Sequence, residues 1–135
     1  MATLKHHPMA VVSKARLPLT GASVLIVEDE PLIALEIHAA LSAVGASIIA
    51  ATKAAEALQL IRTAEMAVAL LDINLGDADC SALCRALARR KVSFLFYTGH
   101  PDAEILKQWP DAPVLIKPTH TAVIVERVTA LVGAS

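Results

Sequence analysis

Four places in the sequence set a chemically active side chain directly after a short apolar run. Ser23–Val27 leads into Glu28-Asp29-Glu30, Ala67–Leu71 into Asp72, Ser93–Tyr97 into Thr98-Gly99, and Pro113–Ile116 into Lys117-Pro118. Together these residues meet the charge demands of phosphoryl transfer. A carboxylate can act as nucleophile, a metal can bridge its oxygen to the incoming group, and a hydroxyl and a lysine can take the remaining phosphoryl oxygens. The acids have no basic residue in their local sequence, so they repel one another. Proton uptake would relieve that repulsion, and so would a hard divalent cation; an all-oxygen donor set favours the cation, Mg²⁺ with retained waters. Glu30, with Glu28, also fits as a charge at a helix start, where acids complement the dipole. Asp72 does not, because Ile73 follows it in place of a helix start. Alone, a lysine ending an apolar strand reads as a surface charge and Thr-Gly as turn chemistry. Their joint occurrence in order at four strand ends carries the reading.

The elements that must position these residues follow from an alternation of short β-branched runs with helical periodicity. Five strands are predicted, at Ser23–Val27, Ser47–Ala51, Ala67–Leu71, Ser93–Tyr97 and Pro113–Ile116, each too uniformly apolar to have a wet face. Five helices follow them, at Pro31–Val44, Lys53–Thr63, Asp79–Arg90, Asp102–Gln108 and His120–Val132. Pro31 suits a first turn, Gly45 suits a terminator, and the fourth helix is short and weakly patterned. The fold class is therefore α/β, a (βα)₅ doubly wound parallel sheet of flavodoxin-like order 2-1-3-4-5, because right-handed crossovers leave few alternatives. Strands 1 and 3 then adjoin at the topological switch point, where such sheets bind ligands beyond the strands' carboxyl ends.

Length and composition bound the function classes. The chain has 135 residues and 14.2 kDa, room for one domain. Its longest stretch free of charge and histidine is the 14 residues Ala39–Thr52, short of a membrane span of roughly 20 residues. Aromatic residues make up 3% and the net charge is −1, which argues against a base-stacking platform and against a polyanion partner. Residues 1–22 carry +3 and residues 23–135 carry −4, so residues 1–21 are expected to be a flexible basic arm and residues 22–135 the domain. Cys80 and Cys84, four apart, suit one helix face as buried thiols of a cytoplasmic protein better than a disulfide.

The segments Val24-Leu25-Ile26-Val27-Glu28-Asp29-Glu30-Pro31, Leu70-Leu71-Asp72-Ile73-Asn74-Leu75, Tyr97-Thr98-Gly99 and Leu115-Ile116-Lys117-Pro118 resemble the receiver domain of two-component response regulators. The resemblance extends from Ala22 to Val132, with 43 residues from Asp29 to Asp72, 26 on to Thr98 and 19 on to Lys117. It implies that Asp72 is the phosphoacceptor and that Glu28 and Asp29 hold Mg²⁺ with Asp72 and the backbone carbonyl of Asn74. It also implies that Thr98 is the switch hydroxyl and Lys117 the phosphate-pairing lysine. Asn74 and His100 match positions that tune self-dephosphorylation in that family.

Three departures from the family pattern stand out. Val114 occupies the position where many receivers carry a Tyr or Phe, Leu75-Gly76-Asp77 replaces the usual Met-Pro, and the stretch from Thr98 to Lys117 is short. Trp109 fits either a partner anchor or a helix-end packing residue. The sequence is read as a cytoplasmic stand-alone receiver, a phosphoacceptor and not a turnover enzyme. Its expected partners are a histidine kinase or histidine phosphotransfer protein, and a downstream protein at the face of the fourth helix, fifth strand and fifth helix. No nucleic acid and no membrane are expected. The alternatives are a receiver that only carries or drains phosphate, and a haloacid-dehalogenase-like phosphatase, which Asn74 disfavours because a second acid is expected there.

Overall fold

The computed structural model describes residues 17–75 and 80–134. Residues 1–16 of the expected arm, Gly76 and Asp77, and Asp79 as the start of the third helix lie outside the described residues. Strand and helix alternate along the described residues: β1 (Ser23–Val27), α1 (Pro31–Ala43), β2 (Ser47–Ala51), α2 (Ala54–Thr63), β3 (Val68–Leu71), α3 (Ser81–Arg89), β4 (Ser93–Thr98), α4 (Glu104–Gln108), β5 (Val114–Ile116) and α5 (Thr121–Ala134). The strands form one parallel sheet in the order β2-β1-β3-β4-β5, the topology read from the sequence.

Side-chain alternation along the strands divides the core in two. Val24, Ile26, Val68, Leu70, Leu95, Tyr97 and Leu115 face α1 and α5, where Ile37, Leu41, Ile124 and Val128 meet them. Leu25, Val27, Ala69, Leu71, Phe94 and Phe96 face α2, α3 and α4. Cys80 and Cys84 are both buried in this second layer and form no disulfide. Trp109, at the end of α4, stacks edge-on against Phe94 with centroids 5.5 Å apart, the packing alternative of its two readings. No residue of α4 is buried, in keeping with its weak pattern. Among the described residues no helix is long and apolar enough to cross a membrane.

The boundary of the expected flexible arm is corrected. Residues 17–21 form a turn, Leu19 is fully buried in the α1–α5 layer, and its N–H donates to the Val44 carbonyl at 2.9 Å. The reason lies at the end of α1. Gly45 has φ 103°, which an L side chain resists, and a Cβ there would stand 2.8 Å from the Thr20 nitrogen. Leu17 and Leu19, on either side of Pro18 and followed by Thr20-Gly21, gave no periodicity that would have placed Leu19 inside.

The end of α2 has a partner from far along the chain. The Arg90 guanidinium donates to the Ile61 and Ala64 carbonyls at 2.6 and 3.0 Å, occupying acceptors that a helix terminus leaves open. Its contact with Glu65 is 3.8 Å and that side chain is 93% exposed, so the ion pair contributes little. Arg90→Ala is expected to lower unfolding stability by about 1–2 kcal/mol and Glu65→Ala by less than about 0.5, read as urea midpoints at constant slope. Equal effects would place the energy in the ion pair and not in the cap.

Candidate phosphoacceptor site

Sheet register sets the site. Val27 pairs with Leu71 and Leu71 with Phe96, so Glu28 and Asp72 emerge side by side at the carboxyl edge, and Thr98 ends the next strand. Backbone bonds continue past the strands: the N–H of Asp72 donates to Val27 at 2.9 Å, that of Glu28 to Ala51 at 3.1 Å, and that of Lys117 to Thr98 at 2.8 Å. The three side chains Glu28, Asp72 and Thr98 are the buried polar and charged groups among the described residues. Asp29 is exposed.

Each buried group is fixed by a backbone N–H two residues on. Asn74 donates to Asp72 Oδ1 at 3.0 Å, Glu30 to Glu28 Oε2 at 3.2 Å, and His100 to Thr98 Oγ1 at 2.9 Å. Lys117 crosses from β5 to bridge the two acids, with Nζ 3.2 Å from Asp72 Oδ2, 3.2 Å from Glu28 Oε2 and 2.9 Å from Glu28 Oε1. The cation absent from the acids' local sequence is thus supplied by the fold. Asp29, Glu30, Asp72, Asn74, Gly99, His100 and Lys117 line a cleft of about 190 Å³ over this floor.

Burial is the first cause that drives the Glu28 pKa up, from 4.5 to about 7; the hydrogen bond from Lys117 opposes it and the Asp72 charge adds to it. For Lys117, burial alone would lower the pKa, but the Glu28 and Asp72 carboxylates outweigh it and raise the value. Two buried acids against one ammonium leave negative charge uncompensated. Glu28 Oε1 is buried and meets Lys117 as an ion pair without a directed hydrogen bond, so an acceptor remains open. Glu28, Asp29 and Asp72 can each place an oxygen within 4.8 Å of the others. These features suit a hard divalent cation with oxygen ligands.

Two further contacts not read from the sequence meet at Tyr97. The Lys117 Nζ lies 5.4 Å from the centroid of the Tyr97 ring, and the Tyr97 hydroxyl accepts from the Thr119 N–H at 3.1 Å. The available signal was the phenol itself, since a tyrosine in a buried strand needs a partner for its hydroxyl. Val114 is half-buried against the opposite layer, in register with Phe96.

Residues 24–129 match the response regulator receiver domain family, and the chain belongs to it. Members of this family serve two-component signalling as phosphoacceptors. The chain is similar to the sensor protein TorS of Escherichia coli (strain K12), 36% identical over 93 residues, and spans 10% of that protein's length with 67% of its own. Two solved structures share the fold. A CheY-like response regulator receiver domain protein from Methanospirillum hungatei JF-1 is 24% identical with TM-score 0.76, over 86% of this chain and 95% of that one. A response regulator receiver protein from Sinorhizobium medicae WSM419 is 22% identical with TM-score 0.77, over 84% and 95%.

Because Glu28 binds a proton more tightly folded than unfolded, its contribution to stability is full below about pH 4.5 and is lost as pH rises through about 7. In chelator-treated protein the melting temperature is therefore expected to fall between pH 5 and 8 more steeply than that of Glu28→Gln. Parallel curves for the two proteins would show that this buried charge is not responsible.

Proposed function

We propose that Asp72 accepts a phosphoryl group from a phosphohistidine of a histidine kinase or histidine phosphotransfer protein, in the cytoplasm. The observation that carries this reading is the state of its carboxylate. It is buried at the floor of the cleft, with Oδ1 held by the Asn74 N–H and Oδ2 by Lys117, so it is aimed before any donor arrives. In the step, an Asp72 oxygen attacks phosphorus and the phosphorus–nitrogen bond breaks. The imidazole leaves with the electron pair and takes a proton, and an acyl phosphate remains on Asp72. Mg²⁺ held by Glu28, Asp29, Asp72 and the Asn74 carbonyl would supply charge neutralisation between the nucleophile and the incoming oxygens.

Thr98 and Lys117 complete the reading. Lys117 exchanges Asp72 Oδ2 for a phosphoryl oxygen, and the Thr98 hydroxyl donates to another, leaving the His100 N–H. A Cβ on Gly99 would meet nothing within 4 Å, so this turn has room to move. His100 is exposed at the rim, where it can orient the water that ends the phosphorylated state. The family match displaces the phosphatase alternative.

The donor needs a docking surface beside the cleft. Leu32 and Leu35 lie in the first turns of α1, next to the acidic rim, and are 75% and 64% exposed. They offer an apolar footing for a helical protein whose phosphohistidine must reach Asp72. For a downstream partner, the reading takes the face of α4, β5 and α5, where Ile116 is exposed.

Incubation with a small acyl phosphate and Mg²⁺ is expected to add one phosphoryl mass to the intact protein. A gain that survives Asp72→Asn, or that appears equally in chelator, would overturn the assignment. Leu32→Ser with Leu35→Ser is expected to slow transfer from a phosphohistidine protein by about tenfold while leaving the small donor's rate unchanged. Equal slowing with both donors would mean the leucines act on the site and not on docking.

A further inference from the structure

We propose that Tyr97 is a positioning residue that seats the Lys117 ammonium and passes its position to the start of α5. This role rests on the phosphoacceptor reading of Asp72. Tyr97 is the penultimate residue of β4, 5% exposed, and packed in the α1–α5 layer among Leu95, Leu115 and Ile124. Its ring is thus fixed, and the face it presents 5.4 Å from Lys117 Nζ is within the range in which a ring quadrupole attracts a cation. The ammonium accordingly has three contacts: Glu28, Asp72 and the ring. When a phosphoryl group replaces the bare Asp72 carboxylate, the Asp72 contact must be remade. The ring limits where the ammonium can go.

The hydroxyl end of the same side chain makes the second link. It accepts from the Thr119 N–H at 3.1 Å, joining the end of β4 to the segment between β5 and α5. That segment sets the start of α5. The His120 carbonyl accepts from the Val123 N–H at 2.9 Å, and its Nδ1 accepts from the Ala122 N–H at 3.1 Å. Tyr97 therefore touches the phosphate-pairing lysine at one end and the residue before the α5 cap at the other. A groove of about 320 Å³ lies over this connection, lined by Ile33, Glu36, Tyr97, Lys117, Thr119 and His120, so a shift of the cap reshapes a surface between α1 and α5.

Among the described residues the opposite face offers no equivalent route through a ring. Val114 is aliphatic, and Phe96 is fully buried and stacked edge-on against Phe94 at 5.6 Å, with no polar end to report a movement. The aromatic that connects the site to the segment after β5 sits one residue before the switch hydroxyl, on the α1–α5 side.

The test uses nuclear magnetic resonance on the wild type, Tyr97→Phe and Tyr97→Leu, at rest and with Mg²⁺ and beryllium fluoride as phosphoryl mimic. At rest, Thr119 amide exchange is expected to rise about fivefold to tenfold in both variants, from loss of one hydrogen bond. The ring-current shift of the Lys117 side-chain protons should persist in Tyr97→Phe and vanish in Tyr97→Leu. With the mimic, Asp72 to Asn74 should respond in all three proteins, but the shifts of His120 to Ile124 should be at least halved in Tyr97→Phe. Undiminished α5 shifts in both variants, or Lys117 protons indifferent to Tyr97→Leu, would overturn the role. Failure of Asp72 to Asn74 to respond in the wild type overturns the phosphoacceptor reading instead, and the resting arms still decide whether Tyr97 seats Lys117. If Tyr97→Leu does not fold, Tyr97→Phe alone decides the hydroxyl link.

Discussion

Two carboxylates are buried side by side at the carboxyl edge of the sheet, and one ammonium spans them. Most of the site's geometry depends on this imbalance. Burying one unpaired carboxylate is costly, and burying two as neighbours adds their repulsion. Lys117 offsets part of that cost from β5, which is not adjacent to β1 or β3. Only a long side chain reaches across the end of the intervening strand, and β4 ends there in Thr98 with Gly99 after it, short residues that leave the path open. The pair is held but not satisfied: Glu28 keeps an open acceptor and a pKa near 7 because its surroundings exclude water faster than they supply positive charge.

An incompletely neutralised site responds strongly to added charge. Any ligand that brings positive charge to the acids, or negative charge to Asp72, changes what Lys117 must bind, and its neighbours then determine where the change goes. The two faces of the sheet differ here. On the α2–α4 side the aromatic residues Phe94, Phe96 and Trp109 pack on one another. On the α1–α5 side Tyr97 has both an apolar ring and a polar tip, each with a partner. The short α4, without a buried residue, is the described helix held least by the core.

The stability of the frame and the reactivity of the site are kept apart. The central strands β1, β3 and β4 bury continuous apolar runs on both faces, whereas the edge strands β2 and β5, expected to be equally buried, stay partly exposed at Ala50 and Ile116 because each has a neighbour on one side only. Arg90 and Gly45 secure helix ends at positions remote in sequence from the acids. Strain of the electrostatic kind is confined to the carboxyl edge. The backbone N–H groups of Glu30, Asn74 and His100 hold the three buried polar side chains in orientation, and Lys117 joins the two acids.

The sequence by itself determined the five-fold alternation, the strand order that follows from it, and the edge at which Glu28, Asp29, Asp72, Thr98 and Lys117 gather. These follow from local periodicity and chain connectivity, which are written residue by residue. Strand spans were legible within a residue because apolar β-branched runs end abruptly at the site residues. The inclusion of Leu19 in the core was not legible, nor was the pairing of Lys117 with Glu28 across 89 residues, nor the double contact of Tyr97. Each depends on which side chains from distant segments share one small volume. Only the tertiary structure decides that, because desolvation and the direction of a hydrogen bond are properties of a place in the fold and not of a stretch of chain.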